Sequence, residues 1–176
     1  MGASQSRIGV FNRQLVGWYL ENGRVYPWRR KSASNYRKVV TEVLLQRTRA
    51  NTVVGLYPVF FKRYPSWKAL AGAKRGNLEE MLRPVGLWRR RAESLQSLAK
   101  MVASRGGRLP SRREEIDMLP GVGQYVANAI ELLVHGRPRP FLDVNMARVL
   151  ERYHGPRKLA DIRYDPYPVS STNLRG

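Results

Sequence analysis

Two glycines bracket one apolar residue directly before a helical pattern, in the stretch LPGVGQYVANAI at residues 119–130. Because glycine tolerates a positive φ and a close backbone approach, the chain can turn tightly here and present bare amides at the start of the next helix. Amides so arranged bind phosphate. The motif alone is equally typical of a tight turn between two helices in an ordinary helical protein. A strongly basic chain and a single aspartate, Asp143, at the start of the following helix favour the phosphate interpretation.

The charge balance indicates a polyanionic partner. The 176 residues include 32 Lys and Arg against 13 Asp and Glu, a formal net charge of +19. A hydrophobic fraction of 43% predicts a folded globule of one domain, or one and part of a second. The charge is spread along the chain and no long uncharged apolar run exists, which disfavours a membrane and leaves nucleic acid as the first candidate partner. Residues 1–7 lack the apolar core of a signal peptide, so we predict a cytoplasmic location, nucleoid-associated in a prokaryote.

The apolar residues recur at helical spacing and nowhere alternate with period two, so we predict an all-α fold. Predicted helices cover residues 6–20, ended by Asn22-Gly23, and a second helix capped by Ser34. The segment 51–63 is apolar around much of its circumference and is predicted to be central. Ser111 and Glu114 have the spacing of a capping box for a short helix up to residue 118. From Arg157 to Gly176 periodicity fades, which predicts a loose tail.

The sequence gives little support for a metal site. The chain contains no cysteine, which excludes disulfides and thiolate-ligated zinc or iron–sulfur sites within this sequence. Its two histidines, His135 and His154, are isolated, and we predict that they are surface residues.

Several polar and aromatic residues are candidate nucleic-acid contacts, each with an ordinary structural alternative. By spacing alone, Glu42 is more typical of a solvated helix face than of a site, by roughly three to one. The run from Gln46 to Arg49 ends a helix and is equally consistent with solvent or a duplex. Trp28 is more typical of a buried packing residue. The turn at residues 84–91 combines a glycine, Trp88 and three arginines, which fits a nucleic-acid strand almost as well as a solvated arginine face.

The stretch at 119–130 together with Leu142-Asp143-Val144-Asn145 resembles the helix-hairpin-helix (HhH-GPD) superfamily of DNA glycosylases, and the likeness runs from about residue 18 to residue 155. Tyr125 stands where the lyase members carry a Schiff-base lysine, which resembles the thymine-mismatch branch (Mig). Arg47 before Thr48 also resembles that branch, where the adenine branch (MutY) has glutamine. The resemblance implies a monofunctional enzyme without efficient AP-lyase activity.

The same resemblance implies a six-helix barrel domain with an incomplete second helical subdomain. We predict an N-terminal helix at 1–24 that packs with that subdomain, a barrel at 25–135, the aspartate loop and its helix at 136–156, and the tail at 157–176. Many relatives end in a four-cysteine iron–sulfur loop. This cysteine-free chain is predicted to need no cofactor and to act as a monomer.

Cleavage of an N-glycosidic bond develops positive charge on the deoxyribose, and a nearby carboxylate stabilises it and orients water. The resemblance assigns this role to Asp143, although spacing alone favours a helix N-cap for that residue. It places Glu42 and Tyr125 at the pocket for an extruded base. The predicted DNA contacts are Gln46, Arg47, Leu87, Trp88, Gly121, Val122, Gly123, Gln124 and Asn145, with a phosphate held by the amides of residues 122, 123 and 125.

The favoured function is removal of thymine or uracil opposite guanine from double-stranded DNA. Three alternatives remain: adenine removal opposite guanine or 8-oxoguanine, removal of a modified pyrimidine, and a non-catalytic DNA-binding module.

Overall fold

The computed structural model describes residues 2–139 and 144–155, and all regular secondary structure in those ranges is helical. The all-α prediction is confirmed for these residues. Asp143 and the predicted tail at 157–176 lie outside them. The helices are α1 (Gly2–Asn22), α2 (Asn35–Leu45), α3 (Ala50–Arg63), α4 (Trp67–Ala71), α5 (Arg75–Leu82), α6 (Trp88–Ser104), α7 (Arg113–Asp117), α8 (Gln124–Leu133) and α9 (Val144–His154), with 3₁₀ turns at Pro27–Arg29 and Arg83–Val85.

The chain divides into two units, residues 1–33 and 34–176. In the first unit α1 ends at Asn22, as predicted, and the Gly23 amide donates to the Tyr19 carbonyl at 2.7 Å. Trp28 is 3% exposed and stacks on Tyr26 with the ring centroids 4.7 Å apart. Trp28 is therefore a buried packing residue, as its sequence context favoured. The predicted boundaries at residues 24, 135 and 156 stay predictions.

The second unit is built around α6, which contacts α2, α4 and α5. Its positions Ala92, Leu95, Leu98, Ala99 and Val102 are all buried. The prediction that residues 51–63 form the central helix is wrong, because α3 buries one face and leaves Val54 and Val59 exposed. The contact between α2 and α8 brings together two helices that lie far apart in the sequence.

Serine side chains cap the start of two helices in this unit, Ser34 for α2 and Ser66 for α4. The Ser34 hydroxyl oxygen accepts from the Arg37 amide at 3.3 Å, which confirms the predicted cap of α2. The capping box predicted at Ser111 and Glu114 is wrong. The N-cap of α7 is Arg112, without a side-chain cap, and Arg112 instead pairs with Glu115 at 2.6 Å.

None of the helices in the described part of the chain is both long enough and apolar enough to cross a membrane.

Candidate functional site

The glycine turn joins α7 to α8 and presses against α6. Gly121 has φ of +71°, and a Cβ built on it would lie 2.6 Å from the Cβ of Ser94. Glycine is therefore required here both for the backbone conformation and for the close approach of two segments. The Val122 amide donates to the Leu119 carbonyl at 3.1 Å, which closes the turn.

The hydrogen bond of the Val122 amide corrects the prediction that this amide holds a phosphate. Of the three amides predicted to hold a phosphate, the Val122 amide is already engaged inside the turn, and the Val122 residue is buried. Gly123 is the N-cap of α8 and has no side-chain cap, and Gln124 begins the helix. The first amides of a helix lack carbonyl partners one turn earlier. An anion bound at this hairpin would therefore meet the amides from Gly123 onward.

Gly123 differs from Gly121 because no residue in the described ranges requires a glycine there. Its φ is −91°, which any residue adopts, and a Cβ at this position would meet no atom within 4 Å. The backbone at Gly123 is exposed, so its space is open to a ligand approaching from outside.

Glu42 and Tyr125 form the centre of the predicted site. Glu42 lies on α2 and is 1% exposed, and the half-buried Tyr125 on α8 donates its hydroxyl to Glu42 Oε2 at 3.0 Å. The solvated position that spacing favoured for Glu42 is therefore wrong. A buried carboxylate is retained when polar partners satisfy it, and a carboxylate beside a phenol at a helix junction can bind the polar edge of a heterocycle.

Two loops meet at the end of α2, the helix that carries Glu42, and share an unusual backbone. The first, loop 46–48, follows α2, and the second, loop 85–87, precedes α6. Arg47 has φ of +55° and Leu87 has φ of +48°, and they are the non-glycine residues with positive φ in the described ranges. Both side chains are exposed, Leu87 by 60%. An exposed leucine at a loop tip next to arginines is suited to inserting between stacked bases.

Arg91 lies beneath both loops. It is only 7% exposed, and its guanidinium donates to the carbonyls of Val43 at 2.7 Å and Leu44 at 3.0 Å, at the end of α2. Desolvation lowers its pKa from the ordinary value. Three arginines were predicted to face solvent or a nucleic-acid strand. Arg89 and Arg90 are exposed as expected, but Arg91 is buried, so the prediction is wrong for Arg91.

Trp88 begins α6 and is half-buried. The guanidinium carbons of Arg89 and Arg83 lie 4.1 Å and 5.3 Å from its ring centroid. Trp88 thus holds two arginines beside loop 85–87 by cation–π contacts.

Glu131, one helical turn beyond Asn128 on α8, is the carboxylate that sequence reasoning missed. It is fully buried and accepts from Arg113 at 2.8 Å and from Arg139 at 3.0 Å. Burial raises the pKa of Glu131, but the hydrogen bonds and charges of these two arginines outweigh burial and hold the pKa below its usual value. Arg139 lies four residues before Asp143, so Glu131 anchors the segment that leads to the predicted aspartate.

The remaining predicted residues are dispersed. Asp143 lies outside the described residues, and Asn145 is exposed on α9. His154 is exposed, whereas His135 is half-buried with Nε2 2.9 Å from the Pro110 carbonyl oxygen, so its prediction as a surface residue is only partly right.

Donors for a metal are scarce. The sequence has no cysteine, so its residues do not fit the four thiolates of an iron–sulfur cluster. Within residues 2–139 and 144–155, no group of three or more His, Asp and Glu side chains is placed to hold a metal ion.

A family model described as the HhH-GPD superfamily of base excision DNA repair proteins matches residues 40–163. The chain belongs to this superfamily. It is 42% identical over 153 residues to the thymine-DNA glycosylase of Aeropyrum pernix, in an alignment covering 86% of this chain and 68% of that relative. It is 37% identical to the thymine/uracil-DNA glycosylase of Pyrobaculum aerophilum, covering 82% of this chain and 64% of that relative. The chain thus spans about two thirds of the length of these relatives.

The fold agrees with this assignment. The solved structure of a thermostable thymine-DNA glycosylase superimposes with a TM-score of 0.80 and 31% identity, covering 98% of this chain and 76% of that one. The predicted helix-hairpin-helix glycosylase fold is therefore confirmed, and the Mig-like resemblance is supported by the relatives' names.

Proposed function

We propose that this protein is a monofunctional DNA glycosylase that extrudes a thymine or uracil mispaired with guanine and cleaves its N-glycosidic bond. The observation that carries the proposal is the pair of buried Glu42 and half-buried Tyr125 beside the glycine hairpin, with the hydroxyl and carboxylate oxygens 3.0 Å apart. The choice of thymine or uracil rests on the similarity to thymine- and thymine/uracil-DNA glycosylases.

The first step is binding of double-stranded DNA. The net charge of +19 attracts the duplex, and the open backbone at Gly123 and the start of α8 receive one phosphate. Phosphate contacts of this kind fix the register of the protein on DNA without reading sequence.

The second step is extrusion of the target base. Gln46, Arg47 and Leu87 enter the duplex and occupy the space that the base leaves, which offsets the cost of unstacking. A mismatched base costs less to extrude than a paired one, which contributes to selectivity. The extruded base then lies against Tyr125 and hydrogen-bonds to Glu42.

The third step is bond cleavage. We propose that the Asp143 carboxylate stabilises the positive charge that develops on the deoxyribose and orients the attacking water. Its support is the resemblance of the Asp143-containing segment to the family motif, together with the anchoring of the preceding Arg139 by Glu131. Thymine and uracil need little further help because each departs as a delocalised anion.

Strand scission is not expected. A lyase needs an amine that forms an imine with the deoxyribose, and the phenol of Tyr125 cannot form one. Its hydroxyl is already a donor to Glu42. The product is therefore an intact strand with an abasic site.

The test uses duplexes containing G·T, G·U, A·8-oxoG and A·G pairs, each incubated with the protein and analysed with and without alkali. Cuts at G·T and G·U only after alkali are expected, and Asp143→Asn is expected to abolish them while DNA affinity stays within about twofold. Cuts without alkali would overturn the monofunctional assignment. Cleavage confined to the adenine pairs would assign the adenine reaction, and binding without any cut would indicate a DNA-binding module.

A further inference from the structure

Loop 46–48 and loop 85–87 share one buried cation. The Arg91 guanidinium donates to the Gln46 carbonyl at 2.9 Å in the first loop, and to the carbonyls of Gly86 at 3.3 Å and Val85 at 3.4 Å in the second. Its five N–H groups in a rigid fork are suited to this task, because one point charge on a lysine cannot reach so many acceptors in different directions.

Thr48 provides a second connection between the same two loops. Its hydroxyl oxygen accepts from Arg91 at 3.1 Å, and its hydroxyl group donates to the Val85 carbonyl at 3.0 Å. Thr48 is therefore both a partner of the buried cation and a direct link between residues 37 positions apart.

The backbone that these contacts hold is strained. Arg47 lies between Gln46 and Thr48, Leu87 follows Gly86, and both have the left-handed φ that costs energy for residues with a Cβ. Such conformations persist where surrounding contacts over-determine them, and they cluster where strain serves a function. Here the same guanidinium holds a neighbour of each strained residue.

We propose that Arg91 and Thr48 couple the two loops into one unit, so that Arg47 and Leu87 enter the duplex together. The inference rests on the proposed function, which places both loop tips in DNA. Arg91 and Thr48 are proposed to touch neither substrate nor reacting atoms and are positioning residues for base extrusion. A purely structural role would instead stabilise the end of α2 and leave extrusion in the folded variants unchanged.

Thr48→Val is the decisive variant, because valine keeps the shape of threonine and removes only the hydroxyl. Thr48→Ser restores the hydroxyl and is the matched control. Arg91→Lys keeps the charge and loses the fork. Thermal unfolding confirms which variants are folded. Because Thr48 is half-buried whereas Arg91 is 7% exposed, Thr48→Val keeps the test open if Arg91→Lys unfolds.

Two readouts separate extrusion from chemistry. The first is fluorescence of 2-aminopurine placed beside the mismatch, which rises when the stack opens and needs no catalysis. The second is the single-turnover excision rate for thymine opposite guanine, compared with thymine opposite an abasic site, where less extrusion energy is required.

For Thr48→Val we expect the G·T excision rate and the fluorescence rise to fall about tenfold, while excision opposite the abasic site changes less than about twofold. Thr48→Ser should restore both. Equal rates and equal fluorescence for Thr48→Val and the unaltered protein would overturn the coupling. Equal losses on both substrates would also overturn it, by assigning Thr48 a general structural role.

The outcomes also distinguish this inference from the proposed function. An unaltered protein that opens the mismatch but never excises a base would defeat the proposed function and leave the coupling testable by fluorescence. An unaltered protein that excises thymine, with Thr48→Val equally active on G·T, would support the function and defeat the coupling.

Discussion

At the scale of single residues, the two glycines of the hairpin have different physical causes. Gly121 needs its positive φ and has no room for a Cβ beside Ser94. Gly123 has an ordinary φ and open space. Folding therefore explains the first glycine, and the proposed approach of an external phosphate would explain the second.

This difference predicts opposite results for two alanine variants. Gly121→Ala should lower the free energy of unfolding by about 2 kcal/mol or more, from left-handed strain and overpacking against Ser94. Gly123→Ala should change it by less than about 0.5 kcal/mol, because a poorer N-cap and a less flexible unfolded chain offset each other. It should nevertheless weaken DNA binding about tenfold, as a methyl group pushes the phosphate from the amides. Urea unfolding measures the free energy of unfolding, and fluorescence anisotropy measures DNA affinity. An unchanged DNA affinity for Gly123→Ala would show that no phosphate binds at this turn.

At the scale of helices, the sequence predicted most elements because apolar periodicity and caps act locally. Ser34 and Asn22-Gly23 mark helix ends through contacts within a few residues. Spacing alone misread Glu42 and Arg91 and missed Glu131, because the burial of these residues depends on partners distant in sequence. The Arg91–Val43 bond spans 48 positions and the Tyr125–Glu42 bond spans 83. A charged residue on a helix looks solvated until the helix packed against it is known.

Glu131 gives α8 a measurable dependence on pH. Because its pKa is depressed from the ordinary 4.5 in the folded protein, its stabilising contribution is present above pH 4.5 and is lost as pH falls through the folded value. Glu131→Gln should therefore lower the free energy of unfolding at pH 7 by on the order of 2 kcal/mol, since two arginines lose their shared carboxylate but still reach solvent. The gap between the free energies of unfolding of the two proteins should narrow below pH 4.5, where Glu131 of the unfolded chain takes up a proton, and should close as pH falls through the lower folded pKa, where the native carboxylate also becomes neutral.

Denaturant unfolding, measured from pH 7 down to the lowest pH at which both proteins are folded, follows this gap. Glu80→Gln is the matched control, because Glu80 pairs with Arg83 at 2.8 Å on the exposed surface. This substitution should change the free energy of unfolding by less than about 0.5 kcal/mol. A gap for Glu131→Gln that stays constant down to the lowest pH would contradict the depressed pKa.

At the scale of the whole molecule, the net charge of +19 affects how the protein associates with DNA and does not determine the fold. Arg49 and Arg90 are exposed and follow the two loops within three residues, so the proposed function brings them close to phosphates. Arg63, also exposed, ends α3 about 20 Å from the loop that precedes this helix. The positive surface therefore includes charges near the proposed DNA contact and charges remote from it.

Salt titration separates these two groups of arginines. If about six phosphates are contacted, DNA affinity should fall about 10³-fold between roughly 50 and 200 mM salt, because each contact releases condensed counterions. Arg49→Gln and Arg90→Gln should each reduce the slope of log affinity against log salt by about one. Arg63→Gln carries the same change in net charge but should leave the slope unchanged, because its position at the far end of α3 keeps it from the duplex. Equal slope changes for all three variants would mean that the total charge, and not the loop surface at α2 and α6, sets the contact with DNA.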